Sequence, residues 1–305
     1  MAEERYVEKI TVDESCKGDC ANCERYFQCN LPLKYEWQKT GWLPLAKENL
    51  KGVKYKLIVV GGKGGVGKSM LAVAIACALR RLGKEVCILD QNYDCPAIAT
   101  MCGVEDKKLT IGPKGFIPVV SDFGVKVVSM GNVVSKHDVI MWYSETKRAV
   151  TEELLCRTDF GELDYLIIDV PAGTSAETVN AIKYIPDMTG AVVVTVPTEL
   201  SQEVARRAIL LMRAAGVPVL GVVENMGPTK CPYCGAPVEG LSSGGGKRLA
   251  ERMGCEFLGV IPMDYEVSKS LDEGRPFVYY QPEHPASKAV MEITNKIVSA
   301  IESRG

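Results

Sequence analysis

From residue 52 onward, short apolar runs alternate with longer stretches of helical character. Seven runs rich in β-branched residues read as buried strands: Leu57 to Val60, Val86 to Leu89, Val125 to Ser129, Tyr165 to Asp169, Ala191 to Val196, Val219 to Val223 and Phe257 to Ile261. Helical stretches lie between most of them: Lys68 to Arg81, Val139 to Leu155, Glu199 to Ala214, Gly246 to Met253 and a last one near Ser287 to Ile301. Such alternation implies right-handed crossovers. It predicts an α/β fold with a doubly wound, mainly parallel sheet and helices on both faces. Gly216-Val217-Pro218 and Pro262-Met263-Asp264 mark turns. Residues 1–51 show no helical or strand period and read as a cysteine-rich metal-binding segment and linker. Residues 52–305 read as the main domain.

Composition adds limits. Apolar residues make up 47% and charged residues 24%, enough to bury a sizeable core. The net charge of −2 carries no basic surplus, so no nucleic-acid partner is expected. The apolar run Met70 to Leu79 is about half of the ~20 residues that cross a bilayer. The start MAEERYVEKI is charged and lacks an apolar signal region. A cytoplasmic protein with no membrane partner is expected. Twelve cysteines are many for a reducing compartment, and clusters among them lean towards metal rather than disulfides. The two histidines, His137 and His284, leave little material for histidine-rich metal sites or Ser–His–Asp chemistry.

Lys56 to Ser69 reads KLIVVGGKGGVGKS. Gly62-x-x-x-x-Gly67-Lys68-Ser69 is a complete phosphate-loop (Walker A) pattern between an apolar strand and an apolar helix. The loop residues Gly62, Lys63, Gly64, Gly65, Val66 and Gly67 let backbone N–H groups curl around a β-phosphate. Lys68 would neutralise β/γ-phosphate charge, the Ser69 hydroxyl would ligate Mg²⁺, and Met70 opens a helix whose N-terminal dipole adds to the site. Asp90 ends the strand VCILD and Asp169 ends YLIID. Carboxylates at the carboxyl ends of parallel strands lie beside the loop and can hold Mg²⁺ through water. Gly173, four residues after Asp169, fits γ-phosphate sensing. No Asn-Lys-x-Asp guanine signature is present, so ATP is expected over GTP.

Lys63 is a second lysine that an ordinary phosphate loop does not require. With it the loop resembles the deviant Walker A of the family that includes the Min cell-division ATPase and the nitrogenase iron protein. That resemblance implies a nucleotide-sandwich homodimer, with Lys63 reaching the partner's nucleotide. It also places Asn225, in VVENMG, near the adenine; a turn asparagine is the plain alternative.

Cys231 and Cys234, in KCPYCG, have the C-x₂-C spacing that points two sulfurs at one metal. An iron–sulfur cluster or a tetrahedral zinc takes four thiolates, and two copies of one loop across a two-fold axis supply four. ENMGPTKCPYCG closely resembles the Mrp-type (ApbC-like) iron–sulfur cluster carrier ATPases, as do TVPTELSQEVARRAI, GGGKRLAERMG and FLGVIPMDYEVSKSLDEGRPFV. The likeness covers nearly all of residues 55–303. It implies ATP hydrolysis, a [4Fe–4S] cluster bridging two subunits through Cys231 and Cys234, and apo iron–sulfur client proteins. Zinc, a redox pair or inert thiols are the alternatives.

A second set, Cys16-x₃-Cys20-x₂-Cys23-x₅-Cys29, can enclose a metal within one chain. Its C-x₂-C-x₅-C part looks like the N-terminal box of the nucleotide-binding scaffold proteins of cytosolic iron–sulfur assembly. Cys16 departs from that group's spacing, and a zinc knuckle remains the alternative to a second [4Fe–4S] cluster. Cys87, Cys156 and Cys255 read as packing residues, and Cys77 as a buried one.

The family's Asp-x-Asp-x-x-Gly-Pro-Ser switch reads Asp90-Gln91-Asn92-Tyr93-Asp94-Cys95-Pro96-Ala97 here. An amide at Asn92 cannot take a proton from water, so Asp94 is the candidate substitute, and slow or partner-dependent hydrolysis is expected. Trp142-Tyr143-Ser144-Glu145-Thr146 likewise departs from Trp-Arg-Gly-Pro-Met. Two rival functions share these residues: an ATP-gated electron donor like the nitrogenase iron protein, and a Min-type positioning ATPase. The latter would want a membrane-binding tail, but KAVMEITNKIVSAIESRG lacks a basic face and reads as a core-packed helix.

Overall fold

A computed structural model describes residues 10–135, 137–231, 234–238 and 243–303. In chain order the elements are α1 (Pro32–Gln38), α2 (Trp42–Asn49), β1 (Val53–Val60), α3 (Lys68–Arg81), β2 (Val86–Asp90) and the short α4 (Ile98–Met101). Then come β3 (Thr110–Gly112), β4 (Gly115–Ile117), β5 (Val119–Val120), β6 (Lys126–Val128), α5 (Ser144–Arg157), β7 (Leu163–Asp169) and α6 (Ala176–Tyr184). The chain ends with β8 (Gly190–Thr195), α7 (Glu199–Ala214), β9 (Val219–Gly227), β10 (Thr229–Lys230), β11 (Pro237–Val238), α8 (Gly245–Met253), β12 (Phe257–Pro262), α9 (Tyr265–Asp272), α10 (Phe277–Tyr280) and α11 (Pro285–Glu302).

All seven expected strands join one eight-stranded sheet of order β12-β9-β8-β1-β7-β2-β6-β5. Every pairing is parallel except the edge pair β5–β6. The edge strand β5, the hairpin β3–β4 and the helix α6 carry too weak a period to be read in advance. The first crossover runs from β1 through α3 to β2, two places away in one direction, while β8 pairs β1 on the other side. The order therefore reverses at β1, the place where open α/β sheets bind ligands beyond their carboxyl ends.

Alternation along β1 divides two cores. Leu57 and Val59 face one core with α3, α9 and α11, while Ile58 and Val60 face the other with α2, α5, α6, α7 and α8. Leu71, Ile75 and Leu79 repeat every four residues on α3 and are fully buried, each contributing about 1.5–3 kcal/mol through burial. The helix is apolar nearly all round because it lies between the sheet and α11.

Residues 32–51 are more ordered than their pattern suggests. Ala46 and Leu50 are buried in the second core. The Asn49 amide donates to the carbonyls of Leu155 and Thr158, both at 2.8 Å, tying α2 to the end of α5. Local propensity there is weak, and tertiary packing makes the helix. Replacing Asn49 by alanine leaves both carbonyls without that donor. It is expected to destabilise the fold by about 2 kcal/mol in urea denaturation. An unchanged midpoint would show that the link contributes nothing.

Candidate functional site

The phosphate loop leaves the carboxyl end of β1 and closes onto α3. Gly67 has φ 90°, in the left-handed region, and is followed directly by Lys68 as the first residue of α3. Lys68 is buried, and its amino group donates to the Lys63 carbonyl at 3.3 Å, folded back over the loop. Burial pushes the Lys68 ammonium below its ordinary value, and Asp169 pulls it back up. The Lys63 side chain is exposed, Val66 and Met70 are buried, and Gly64 and Gly65 lie at the open surface of the loop.

Two carboxylates meet at the ends of neighbouring strands. Asp90 and Asp169 are register partners in the β2–β7 pair, and both are almost wholly buried. The Ser69 hydroxyl donates to Asp169 Oδ2 at 2.6 Å, while the buried Oδ1 has no partner. Asp90 accepts from the Ser129 hydroxyl at 2.8 Å and from the Asn92 backbone N–H at 3.0 Å. Burial raises both carboxyls above the usual range, and repulsion from Asp169 raises Asp90 further. A hydroxyl and two carboxylates in repulsion, one of them with an unpartnered buried oxygen, form an oxygen-donor set that suits a small divalent cation such as Mg²⁺.

Gly173, with φ 77°, brings the segment after β7 against the loop, its N–H donating to the Gly61 carbonyl at 3.0 Å. Asn225 also meets the loop. Its side-chain amide donates to the Val66 carbonyl at 2.9 Å, and it is buried at the end of β9. It therefore braces the loop from the β9 side. Asp94 is held elsewhere: its carboxylate pairs with the Lys147 ammonium, which also binds Glu177 Oε1 at 2.6 Å. The residue before Asp94, Tyr93, is fully buried and donates to Gln91 Oε1 at 2.8 Å. Ser129, Lys147 and Glu177 carry no motif, which is why sequence reading passes over them.

Cys231 and Cys234 sit at the tip of the hairpin β10–β11, which leaves the same end of the sheet just after β9. The Cys231 N–H donates to the Ala236 carbonyl and the Gly235 N–H to the Cys231 carbonyl, each at 2.8 Å. Gly235 has φ 72°. This tight turn exposes Cys234 and half-buries Cys231; Pro232 and Tyr233 between them lie outside the described residues. The far side of the hairpin is anchored too. Buried Glu224, beside Asn225 on β9, accepts from the Gly244 N–H at 3.1 Å and the Gly246 N–H at 2.6 Å at the start of α8.

The four N-terminal cysteines lie together. Cys16, Cys20, Cys23 and Cys29 line one cavity of about 210 Å³. Cys20 is buried and Cys16 exposed. Burial raises the Cys20 thiol, and the three neighbouring thiols raise it further. Among the described residues no three cysteine, histidine or carboxylate side chains are grouped as they would be around a metal ion. Cys77, Cys87 and Cys102 are buried, Cys156 and Cys255 are partly covered, and Cys95 is exposed beside Asp94.

Among the described residues no helix is long and apolar enough to cross a membrane. The family model described as "ParA: NUBPL iron-transfer P-loop NTPase" matches residues 52–298. An iron-sulfur cluster carrier protein of Saccharolobus solfataricus is 38% identical over 255 residues, 83% of this chain and 86% of that protein. One of the same name from Methanocaldococcus jannaschii is 34% identical over 290 residues, 95% of this chain and 98% of that protein. The solved nucleotide-binding protein of Archaeoglobus fulgidus, in complex with ADP, superposes with a TM-score of 0.70 at 32% identity, covering 80% of this chain and 94% of that one. By its phosphate loop, its sheet order and these likenesses, the chain belongs to the NUBPL iron-transfer P-loop NTPase family.

Proposed function

We propose that the protein is an ATP-dependent iron–sulfur scaffold that holds a [4Fe–4S] cluster between two copies of itself and passes it to apoproteins. The observation that carries this reading is the Cys231–Cys234 turn. It carries two thiols at a hairpin tip, Cys234 exposed and Cys231 half-buried. A cluster needs four, which a second copy of the same turn supplies. The names of the archaeal relatives agree with such a cargo.

The geometry also supports nucleotide control. β9 carries Asn225 against the phosphate loop and, two residues past its end, becomes the cysteine hairpin. A shift of the loop on ATP binding would pass along one strand to the thiols. ATP acts by favouring one of two hairpin arrangements that differ in affinity for the cluster. Lys68 and the loop N–H groups bind the phosphates, exposed Lys63 reaches a partner's nucleotide, and Ser69, Asp90 and Asp169 hold Mg²⁺. The cation would supply charge neutralisation on the phosphates. Asp94, turned to Lys147, orients water once that pair opens, so hydrolysis is slow in the free protein. The N-terminal cysteines form a second centre, [4Fe–4S] or zinc, within one chain. Residues 1–51 are its segment and 52–305 the ATPase domain.

The test is anaerobic reconstitution of wild type and the Cys231→Ala, Cys234→Ala double variant. The double variant is expected to lose roughly one cluster's worth of iron per dimer and all transfer to an apo-ferredoxin, while binding ATP normally. Undiminished transfer by the double variant defeats the proposal. So does a wild-type cluster that exports electrons and never leaves.

A further inference from the structure

A buried lysine of the ATPase domain holds the backbone of the N-terminal cysteine segment. Lys183, near the end of α6, is 6% exposed. Its ammonium donates to the Cys20 carbonyl and, at 2.7 Å, to the Ala21 carbonyl. It also lies 4.1 Å from the Tyr26 ring centroid and 5.0 Å from that of Trp37, over two aromatic faces of the segment. Trp37 in turn packs edge-on against Tyr184, 6.1 Å between centroids. A buried cation is tolerated only when its donors are used, and here backbone carbonyls and π-faces use them. The bonds go to carbonyls rather than thiols, so the seating is in place without a metal on the cysteines.

The other end of the same helix touches the nucleotide machinery. α6 begins seven residues after Asp169, just past Gly173. Ser175 caps it, accepting from the Thr178 N–H at 3.3 Å. Glu177 in its first turn holds Lys147, which holds Asp94 of the segment that follows β2. Nine residues make a rod of roughly 13 Å, too short and too well buried to absorb a displacement by bending.

We propose that α6 couples the nucleotide site to the N-terminal cysteine pocket, with Lys183 as the positioning residue that seats the pocket on the helix. The coupling rests on the reading of the phosphate loop as an ATP site, but not on any cluster being bound. Nucleotide that re-forms the loop at Gly173 or opens the Asp94–Lys147 pair moves the start of α6. Its far end then carries Cys20 and Ala21.

Thiol alkylation of the metal-free protein tests this. Iodoacetamide labelling of Cys20 is followed by mass spectrometry with and without ATP–Mg²⁺, exposed Cys16 serving as the internal reference. The Cys20 rate is expected to change by roughly fivefold or more on adding nucleotide. In Lys183→Met, Cys20 is expected to label nearly as fast as Cys16 and to ignore nucleotide, while a fluorescent ATP analogue still binds. Lys183→Arg, which keeps a cation and donors, restores part of the protection and of the response. A wild-type rate indifferent to nucleotide overturns the proposal, and needs no variant to fold. A Lys183→Met protein that responds as wild type does also overturns it. Neither result bears on cluster transfer at Cys231 and Cys234, so the two readings fail separately.

Discussion

Lys68→Ala is expected to lower ATP turnover by at least ~10²-fold and to weaken ATP binding, with the fold intact. The effect is large because the ammonium is buried in a low-dielectric loop, where one positive charge interacts strongly with phosphate oxygens. It is already positioned, resting on the Lys63 carbonyl, so little reorganisation is needed when phosphate arrives. The fold survives because the Lys63 carbonyl that loses this bond belongs to an exposed residue and can turn to water, and removing a buried cation also removes its desolvation cost. Hydrolysis assays and nucleotide titrations check this. Turnover within a few-fold of wild type would remove the phosphate loop from the chemistry.

Gly62→Ala is expected to have the largest effect on stability. A Cβ at Gly62 would lie 2.2 Å from the carbonyl carbon of Val204 and 2.3 Å from its oxygen. Both belong to the backbone of α7, which cannot step aside as a side chain can. Overpacking of this kind costs about 3 kcal/mol, and the relaxation that relieves it displaces the loop from α7. Thermal denaturation would show a fall of roughly 6–12 °C, accompanied by weaker nucleotide binding. Gly64→Ala is the control, since nothing lies within 4 Å of its Cβ position. Equal behaviour of the two variants would show that the loop is not held against α7.

Much of the site was legible because its chemistry is local in sequence. Backbone N–H groups, a lysine and a serine must follow one another to wrap a phosphate, so Gly62 to Ser69 is a contiguous motif. The C-x₂-C of Cys231 and Cys234 is contiguous too, because one tight turn carries both thiols. Asp90 and Asp169 were legible from their strands, but their register pairing was not. Asn225 shows the difference well: its contact with the Val66 carbonyl spans 159 positions, and no local pattern announces it. Asp94 was a candidate by its distance from Asp90, yet its partner Lys147 stands on α5 and comes within reach only when the helices pack. Lys183 was invisible in a stretch with no motif.

What the sequence by itself determined is the strand–helix alternation, the phosphate loop and the two cysteine groups, because periodicity and short-range geometry are properties of neighbouring residues. Tertiary structure alone decided that β1 lies at the reversal of strand order, that α2 is helical against the second core, and that the N-terminal cysteines are seated on Lys183. Those outcomes depend on burial shared between residues far apart along the chain. A buried ammonium is acceptable only where carbonyls and rings from another segment close around it, and no local pattern encodes that meeting.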